Sequence, residues 1–202
     1  MPRNGAATRA RILDVTERLV VEKGFADTSL DEIIAAAATT KGGLFHHFAS
    51  KQDLGRAVIE RYAAQDAATQ EEMIRRGEES SADPLDQLLT YVRLMTDTVE
   101  EQFRTLPGCL FASFAYERNL VDDSTKQLIA DNFRFTHASV RRKLDQVVER
   151  HPPRQPVDLD AIADQITTIA EGAFVMARIL DDPAVVRAQM DQFRRYLELL
   201  FS

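Results

Sequence analysis

The chain has 202 residues, of which 45% are apolar, so it can form one sizeable hydrophobic core or two small domains. Tryptophan is absent and Gly and Pro together number 15, while alanine, leucine, arginine and glutamate dominate, so we expect an all-α protein. The first residues lack the apolar stretch of a signal peptide, and no 18 apolar residues run together, so we expect a cytoplasmic protein without a membrane partner. Cys109 is the only cysteine, which excludes a disulfide within the chain and a cysteine-cluster metal site.

Charge is unevenly distributed along the chain. The net charge is −7, yet residues 1–56 hold eight Lys and Arg against seven Asp and Glu, and the other residues hold 17 against 25. An acidic body with a near-neutral amino-terminal head is typical of a protein that presents only its head to phosphate.

The starts of the helices are readable because polar caps precede most of the apolar-periodic runs. A capping box at Ser29 and Glu32 predicts the start of helix 2, and Asp83 followed by Pro84 predicts the start of helix 5. Two segments are expected as loops, the linker at 77–83 and the proline-rich stretch at 150–158. We expect nine helices, beginning near Ala7, Ser29, Thr39, Ser50, Asp83, Cys109, Ser124, Asp158 and Asp182, with helix 4 ending near Arg76 and helix 6 near Leu120.

Residues 29–48, SLDEIIAAAATTKGGLFHHF, divide into a helix, a turn of three or four residues and a second helix, with helix 1 before them. This is the layout of a helix-turn-helix, whose second helix lies in the major groove of DNA. Thr39, Thr40 and Lys41 would open that helix, where hydroxyls can bond base edges and a cation can reach guanine or phosphate. We therefore expect a helix-turn-helix DNA-binding head over residues 1–52 and a helical bundle for ligand binding and dimerisation over residues 53–202.

The stretch from Thr8 to Glu60, TRARILDVTERLVVEKGFADTSLDEIIAAAATTKGGLFHHFASKQDLGRAVIE, closely resembles the DNA-binding region of TetR/AcrR-type transcriptional regulators. The likeness extends to the block K-G-x-[LI]-[YF]-x-H-F-x-[SN]-K and covers about a quarter of the chain. The remainder resembles the family in helix count and acidic character only.

The resemblance implies contacts with double-stranded DNA of two kinds. Phosphates would be bound at the starts of helices 2 and 4, by Thr28 or Ser29 and by Lys51. The residues that would face the groove, or touch backbone and bases, are Thr39, Thr40, Lys41, Gly43, Phe45 and His46.

Three positions depart from the family pattern. Ala38 stands where the turn usually has glycine, so the turn either avoids positive φ or carries roughly 1 kcal/mol of strain. Gly43 replaces a residue with a side chain, at a helix cost of about 1 kcal/mol. Phe45 replaces the common tyrosine and cannot donate to a phosphate.

The ring-rich part of this stretch also has structural interpretations. Leu44 would close a small core, and His47 and Phe48 would pack inward against helix 1. Phe45 either joins that core or touches DNA.

Metal and phosphate-loop interpretations of the same stretch are weak. His46 and His47 are a poor metal pair because neighbours on a helix point about 100° apart, whereas chelation needs residues four apart. Gly42 and Gly43 lack the preceding strand and the following Gly-Lys-Ser/Thr of a phosphate loop. We expect no metal and no cofactor.

Cys109 has two interpretations, which the sequence leaves open. It is either an inert buried thiol or a reactive one, because the dipole at a helix amino terminus lowers the pKa of a thiol. Some family members are similar in having a cysteine after a glycine here, and a few of those sense oxidants or electrophiles. The hypothesis is that Cys109 senses such compounds.

The resemblance also implies a cavity for an unknown apolar or amphipathic small-molecule effector within the body. No polar constellation in the sequence identifies that ligand. The residues expected to line the cavity are Met95, Phe103, Cys109, Phe111, Phe114, Phe133, Phe135 and Met176.

The last two helices would either close a monomeric bundle or pair with a second copy. In the family, two such hairpins form a four-helix interface about a two-fold axis. Small residues permit close approach, and the interface is expected at Gly172, Ala173, Ala177, Met190, Phe193 and Leu197.

We therefore predict a homodimeric, ligand-responsive repressor that binds a pseudo-palindromic operator and is not an enzyme. Its effector would be thiol-reactive if Cys109 is the sensor. Activation instead of repression remains open. The alternatives from other classes are a helical enzyme that uses the cavity and a helical ligand-binding adaptor that has lost DNA binding.

Overall fold

The computed structural model describes residues 3–117 and 122–201, and these residues form nine α-helices and no strands. The all-α prediction is confirmed. The predicted end of helix 6 near Leu120 lies outside the described residues. In chain order the helices are α1 (Arg3–Lys23), α2 (Leu30–Ala36), α3 (Lys41–His47), α4 (Lys51–Ser80), α5 (Pro84–Thr105), α6 (Leu110–Ala115), α7 (Asp123–Arg150), α8 (Leu159–Leu180) and α9 (Ala184–Phe201).

The predicted linker at 77–83 is wrong over its first half, because α4 continues to Ser80. Gly77 does not end the helix. A Cβ at Gly77 would lie 3.0 Å from the carbonyl oxygen of Gln87, so the missing side chain lets α4 approach α5 closely. The helix then ends before Asp83, whose carboxylate accepts the amide hydrogen of Leu85 at 2.8 Å and caps α5.

Helix α7 begins at Asp123, and the residue that caps it is Asp122. The Asp122 Oδ1 atom accepts the amide hydrogen of Thr125 at 2.7 Å and the hydroxyl of Ser124 at 2.7 Å. These hydrogen bonds lower the pKa of Asp122 to about 2. The polar run that begins at Ser124, predicted as the start of helix 7, therefore lies in the first turn of α7. The capping residue Asp122 precedes it.

The helices group into two compact units, and the first comprises the described residues up to Ala64 together with those of the range Gly108–Ala130. In it α1 packs against α2, α3 and α6. Arg61 on the first half of α4 bonds Asp14 at 2.5 Å and Glu17 at 2.7 Å, which fastens α4 to α1. The largest wholly buried side chains here are Ile12, Leu13, Phe25, Ile33, Leu44, Phe48, Leu54, Ile59 and Leu110.

The second unit comprises Gln65–Pro107 and the described residues from Asp131 onward. Helix α9 packs against α5 and α8. Arg187 on α9 reaches α5, where it bonds Asp97 at 2.8 Å and Glu100 at 2.9 Å. The rings of Phe103 and Phe174 stack with centroids 5.8 Å apart. The functional boundary predicted after residue 52 falls inside the first unit and stays a prediction.

Candidate nucleic-acid interface

The start of α2 is fixed by a complete capping box. The Ser29 hydroxyl accepts the amide hydrogen of Glu32 at 3.2 Å, and the Glu32 carboxylate accepts the amide hydrogen of Ser29 at 2.9 Å. Lys23 at the end of α1 bonds the same carboxylate at 2.5 Å. The hydrogen bonds from Lys23 and Ser29 lower the pKa of Glu32 to about 2. Local sequence thus determines both the start of α2 and its attachment to α1.

The turn between α2 and α3 places Ala38 in the left-handed region, with φ of 45°. The Ala38 amide donates to the Ala35 carbonyl at 3.2 Å, and the Thr39 amide donates to the Ile34 carbonyl at 3.1 Å. This pair of bonds is a Schellman motif, in which glycine usually occupies the position of Ala38. Of the two outcomes expected for this turn, the strained one is therefore observed.

Helix α3 is capped by Thr40, whose hydroxyl oxygen accepts the amide hydrogen of Gly43 at 3.0 Å. A Cβ at Gly43 would lie 2.6 Å from the hydroxyl oxygen of Thr39. Glycine at 43 therefore lets the Thr39 hydroxyl lie directly over the first turn of α3. This contact gives a physical reason for the glycine that departs from the family pattern.

One face of α3 is buried and the other is exposed. Leu44 and Phe48 are buried, and the guanidinium of Arg9 on α1 lies 5.2 Å from the centroid of the Phe48 ring, so Phe48 packs inward. Phe45 is 40% exposed although it is a large apolar side chain. Thr40, Lys41 and His46 are also exposed.

Thr28 does not offer a phosphate contact in this structure. Its side chain is wholly buried, and its hydroxyl donates to the Gly24 carbonyl at 2.7 Å. Of the two residues expected at the start of helix 2, Ser29 is the exposed one. Thr28 is turned inward because its hydroxyl bonds a carbonyl within the turn that follows Gly24.

Lys51, expected to anchor a phosphate, holds the turn between α1 and α2. Its ammonium donates to the Ala26 carbonyl at 3.0 Å and lies 4.8 Å from the centroid of the Phe25 ring. Both carboxylate oxygens of Glu117 accept the Ala26 amide hydrogen, at 2.8 and 2.9 Å. Partial burial lowers the pKa of Lys51, and the Glu117 carboxylate acts in the opposite direction.

Glu117 was not among the expected functional residues. Its partner Ala26 is 91 residues away along the chain, so no local pattern signals the contact. The Glu117 carboxylate also stands 2.8 Å from where a Cβ on Gly24 would lie, and Gly24 has φ of 89°. Residue 24 is therefore suited to glycine on two grounds.

The side chains expected to line an effector cavity are divided between the two compact units. Phe111 and Phe114 belong to the first unit, where their rings lie 4.8 Å from those of Tyr62 and Phe25. Met176 is 48% exposed on α8, so it is not an interior residue of this chain. The cavity stays a prediction for the others, of which Met95 and Phe103 are buried and Phe133 and Phe135 are half-buried.

Cys109 occupies the amino-terminal cap of α6, as the sequence indicates. The residue is buried, and its carbonyl oxygen accepts the amide hydrogen of Ser113 at 3.1 Å and the hydroxyl of Ser113 at 3.0 Å. Its role as a sensor stays a prediction. Unchanged DNA affinity after stoichiometric alkylation of Cys109 would contradict that role.

Most of the residues expected at a dimer interface are used inside the chain. Ala173 and Ala177 on α8 are buried, as are the α9 residues Met190, Phe193 and Leu197. These side chains lie where α8, α9 and α5 pack against one another, so they do not form an outer surface. Gly172 is the exception, since it is exposed and nothing lies within 4 Å of a Cβ placed there.

An exposed apolar stripe lies on another face of α8. Gly172, Val175, Met176 and Ile179 have the spacing that puts residues on one face of a helix. Ile179 is 72% exposed and Leu199 on α9 is 67% exposed. The spacing along α8 was readable in the sequence. Both this face and the inner face carry apolar residues, however, so the sequence does not say which one packs inside.

Among the described residues, no three His, Cys, Asp or Glu side chains are grouped so that they could hold a metal ion. Within the same ranges, no helix is both long and apolar enough to cross a membrane.

Comparison with known proteins gives matches along most of the chain. A family model for bacterial regulatory proteins of the tetR family matches residues 12–58, and one for a tetracyclin repressor-like carboxy-terminal domain matches residues 84–193. The HTH-type transcriptional repressor DhaR of Mycobacterium sp. (strain GP1) is 23% identical over 185 residues, which are 92% of this chain and 87% of DhaR. The HTH-type transcriptional repressor NemR of Escherichia coli (strain K12) is 27% identical over 146 residues, 71% of this chain and 70% of NemR. A crystal structure of a TetR-family regulator from Agrobacterium tumefaciens superposes with a TM-score of 0.81 at 23% identity, over 98% of this chain and 100% of that one.

Proposed function

Because the chain belongs to the tetR family of bacterial regulatory proteins, we propose that it is a repressor that binds a pseudo-palindromic operator as a homodimer. A small-molecule effector would release it from the DNA. Since relatives such as DhaR and NemR are named transcriptional repressors, we assign the chain a regulatory and not an enzymatic role. A protein that acts on the bacterial chromosome works in the cytoplasm.

The observation that carries the proposal is the exposed face of α3. Leu44 and Phe48 fasten this helix to the rest of the first unit, while Lys41, Phe45 and His46 are exposed. A major groove about 12 Å wide accepts a helix in this way, with the residues of its first turn against base edges. Lys41 would reach phosphate or guanine, and the exposed ring of Phe45 would contact sugar or a thymine methyl group.

The phosphate contacts would come from residues at the starts of three helices. Ser29 and Lys51 lie at the starts of α2 and α4, and Thr39 and Thr40 lie at the start of α3. Hydroxyls and amide hydrogens at helix starts are common partners of phosphate oxygens. These contacts would set the register of the head on DNA, and the α3 side chains would read the sequence.

The dimer would form through the exposed stripe of α8, comprising Gly172, Val175, Met176 and Ile179, together with Leu199 of α9. Leaving the large apolar side chains of this set, Val175, Met176, Ile179 and Leu199, in water is unfavourable, and burying such a side chain completely contributes about 1.5–3 kcal/mol. Pairing about a two-fold axis would use the same surface of both copies. The two α3 helices of the dimer would then bind half-sites about 34–36 Å apart, a separation of one turn of DNA.

Release by an effector requires that the effector bind one arrangement of the dimer more tightly than the other. The coupling is typically about 1–3 kcal/mol in such proteins. Helix α4 begins at Lys51, one of the residues proposed to contact phosphate, and extends to Ser80. We propose that it carries the change.

The test is selection of bound fragments from the source genome by the purified protein near physiological salt concentration. We expect recovery of a short pseudo-palindrome whose half-sites are separated by about one helical turn. Recovery of no fragment above background would contradict the proposal and would favour an adaptor that has lost DNA binding.

A further inference from the structure

Thr39, in the turn between α2 and α3, and Gly43 on α3 are packed closely enough to depend on each other. A Cβ placed at Gly43 would lie 2.6 Å from the hydroxyl oxygen of Thr39 and 3.3 Å from that of Thr40. The first distance is well below van der Waals contact, so any side chain at 43 requires the Thr39 hydroxyl to move. The orientation of Thr39 therefore depends on the glycine at 43.

The two threonine hydroxyls beside Gly43 are engaged differently. The Thr40 oxygen accepts the amide hydrogen of Gly43 at 3.0 Å and so caps α3. The Thr39 hydroxyl has no hydrogen-bond partner among the described residues, and its oxygen is open to solvent although Thr39 is half-buried. Such a hydroxyl can bond a group of another molecule without the loss of a hydrogen bond inside the protein.

The Thr39 hydroxyl takes the place that a side chain at 43 would cover. Helical side chains point back towards the amino terminus of their helix, so a side chain at 43 would lie over the preceding turn. The Thr39 oxygen already occupies that position, as its distance from the Cβ position shows. Gly43 and the exposed His46 are three residues apart and are therefore neighbours on the surface of α3. The hydroxyl thus lies beside the face of α3 that is proposed to enter the major groove.

We propose that Thr39 determines the base preference at one base pair of each half-site, and that Gly43 makes this possible by leaving room for the Thr39 hydroxyl. The hydroxyl bonds a base edge at the place that a side chain at 43 would otherwise reach. It can donate one hydrogen and accept at two lone pairs, so the base contact is compatible with the phosphate contact proposed above. This inference rests on the proposed function and assigns one base pair to one residue.

The test compares variants on the DNA fragment selected by the wild type and on a series in which each base pair of a half-site is changed in turn. Fluorescence anisotropy measures the affinities. Thr39→Val keeps the shape of the side chain and removes the hydroxyl. We expect it to lose roughly fivefold of the wild-type preference at one base pair, the effect of one hydrogen bond, and to keep the preference at the others. Thr39→Ser keeps the hydroxyl and should keep the preference throughout.

Gly43→Ala tests the dependence of Thr39 on the glycine. The added methyl group should turn the Thr39 hydroxyl away, so this variant should lose preference at the same base pair as Thr39→Val. Thr39→Val added to Gly43→Ala should then change little further, because the two substitutions remove the same contact. Gly42→Ala is the matched control, since a Cβ there meets only the Thr40 hydroxyl oxygen, at 4.0 Å. It should keep the preference at that base pair.

Three results would overturn the proposal. The first is full retention of the wild-type preference by Thr39→Val. The second is a Gly43→Ala variant that loses preference at a different base pair or at none, and the third is a Gly42→Ala variant that loses it at the same one. If the wild type selects no DNA fragment, the proposed function fails and this inference fails with it. A selected pseudo-palindrome that Thr39→Val reads like the wild type refutes this inference alone.

Discussion

Lys51 donates a hydrogen bond to the carbonyl oxygen of Ala26 at 3.0 Å, so a cation expected to bind phosphate also supports the turn that precedes α2. The Ala26 amide is held by Glu117 from the other side. The position of the α2 amino terminus therefore depends on one cation and one anion that belong to distant parts of the first unit. A phosphate at this place would add a second partner to Lys51.

Replacing Lys51 by alanine should weaken binding to all DNA sequences alike. The loss of one phosphate contact should flatten the slope of log K against log salt concentration by about 0.9. Arg56→Ala is the matched control, because Arg56 lies on the same helix but is bonded to Glu60 at 2.8 Å. Fluorescence anisotropy over a range of salt concentrations measures both slopes. An unchanged slope for Lys51→Ala would show that Lys51 does not contact a phosphate.

Replacing Ala38 by glycine should stabilise the protein by about 1 kcal/mol, because it relieves a left-handed alanine in a Schellman turn. Ala35→Gly, one turn earlier and within α2, should instead destabilise by about 1 kcal/mol. The free energy of unfolding in urea gives both values. If the two glycines changed stability in the same direction, the positive φ of Ala38 would carry no strain.

Thr40 has two roles that two substitutions can separate. Thr40→Ala removes the cap of α3 and should lower the free energy of unfolding by about 1 kcal/mol, whereas Thr40→Ser keeps the hydroxyl and the cap. The alanine variant should also alter the base preference of the selected DNA fragments. Equal stability of the two variants would show that the hydrogen bond to Gly43 contributes nothing.

Replacing Ile179 by glutamate should separate the two copies, because the exposed stripe of α8 would then bury an unpaired charge. We expect the dissociation constant of the dimer to rise roughly a hundredfold or more, given about 1.5–3 kcal/mol for the isoleucine alone. Sedimentation velocity measures the effect. The control Tyr116→Glu changes a side chain that is exposed outside this stripe and should leave the dimer intact. A dimer that survives Ile179→Glu would place the interface elsewhere.

Burial raises the pKa of Asp66, and the hydrogen bond from Asn132 opposes this shift only in part. The folded state therefore holds the Asp66 proton to higher pH than the unfolded state, whose pKa is near 3.8. In the window that begins near that value, the contribution of Asp66 to stability falls as the pH rises. Asp66→Asn lacks this loss, so its stability relative to the wild type should increase from pH 3.5 to pH 7. Urea unfolding at the two pH values measures the difference, and a constant difference would contradict the shift.

Local sequence accounts for most of the helices and for the arrangement of α2 and α3. The caps at Ser29, Thr40 and Asp83 each bond amide hydrogens within three residues, so their patterns are readable without a structure. The strain at Ala38 follows from the same local chemistry. The continuation of α4 through Gly77 was missed, since its reason is the approach of α5 and not the propensity of the segment.

Local sequence patterns do not predict contacts between residues that are far apart along the chain. The Glu117–Ala26 and Asp66–Asn132 bonds join residues 91 and 66 positions apart. The predicted dimer surface differs from the structure for another reason. Both faces of α8 carry apolar side chains, so the sequence does not show that Ala173 and Ala177 lie on the face that is buried.

If the exposed face of α3 reads DNA, the double variant Lys41→Ala, His46→Ala should lose sequence preference. Binding of this variant is measured on the fragment selected by the wild type and on a scrambled fragment of equal length. We expect the variant to lose most of the wild type's preference for the selected fragment while it keeps its weak, salt-dependent affinity for scrambled DNA. An unchanged preference for the selected fragment would contradict the claim and move the reading surface away from α3.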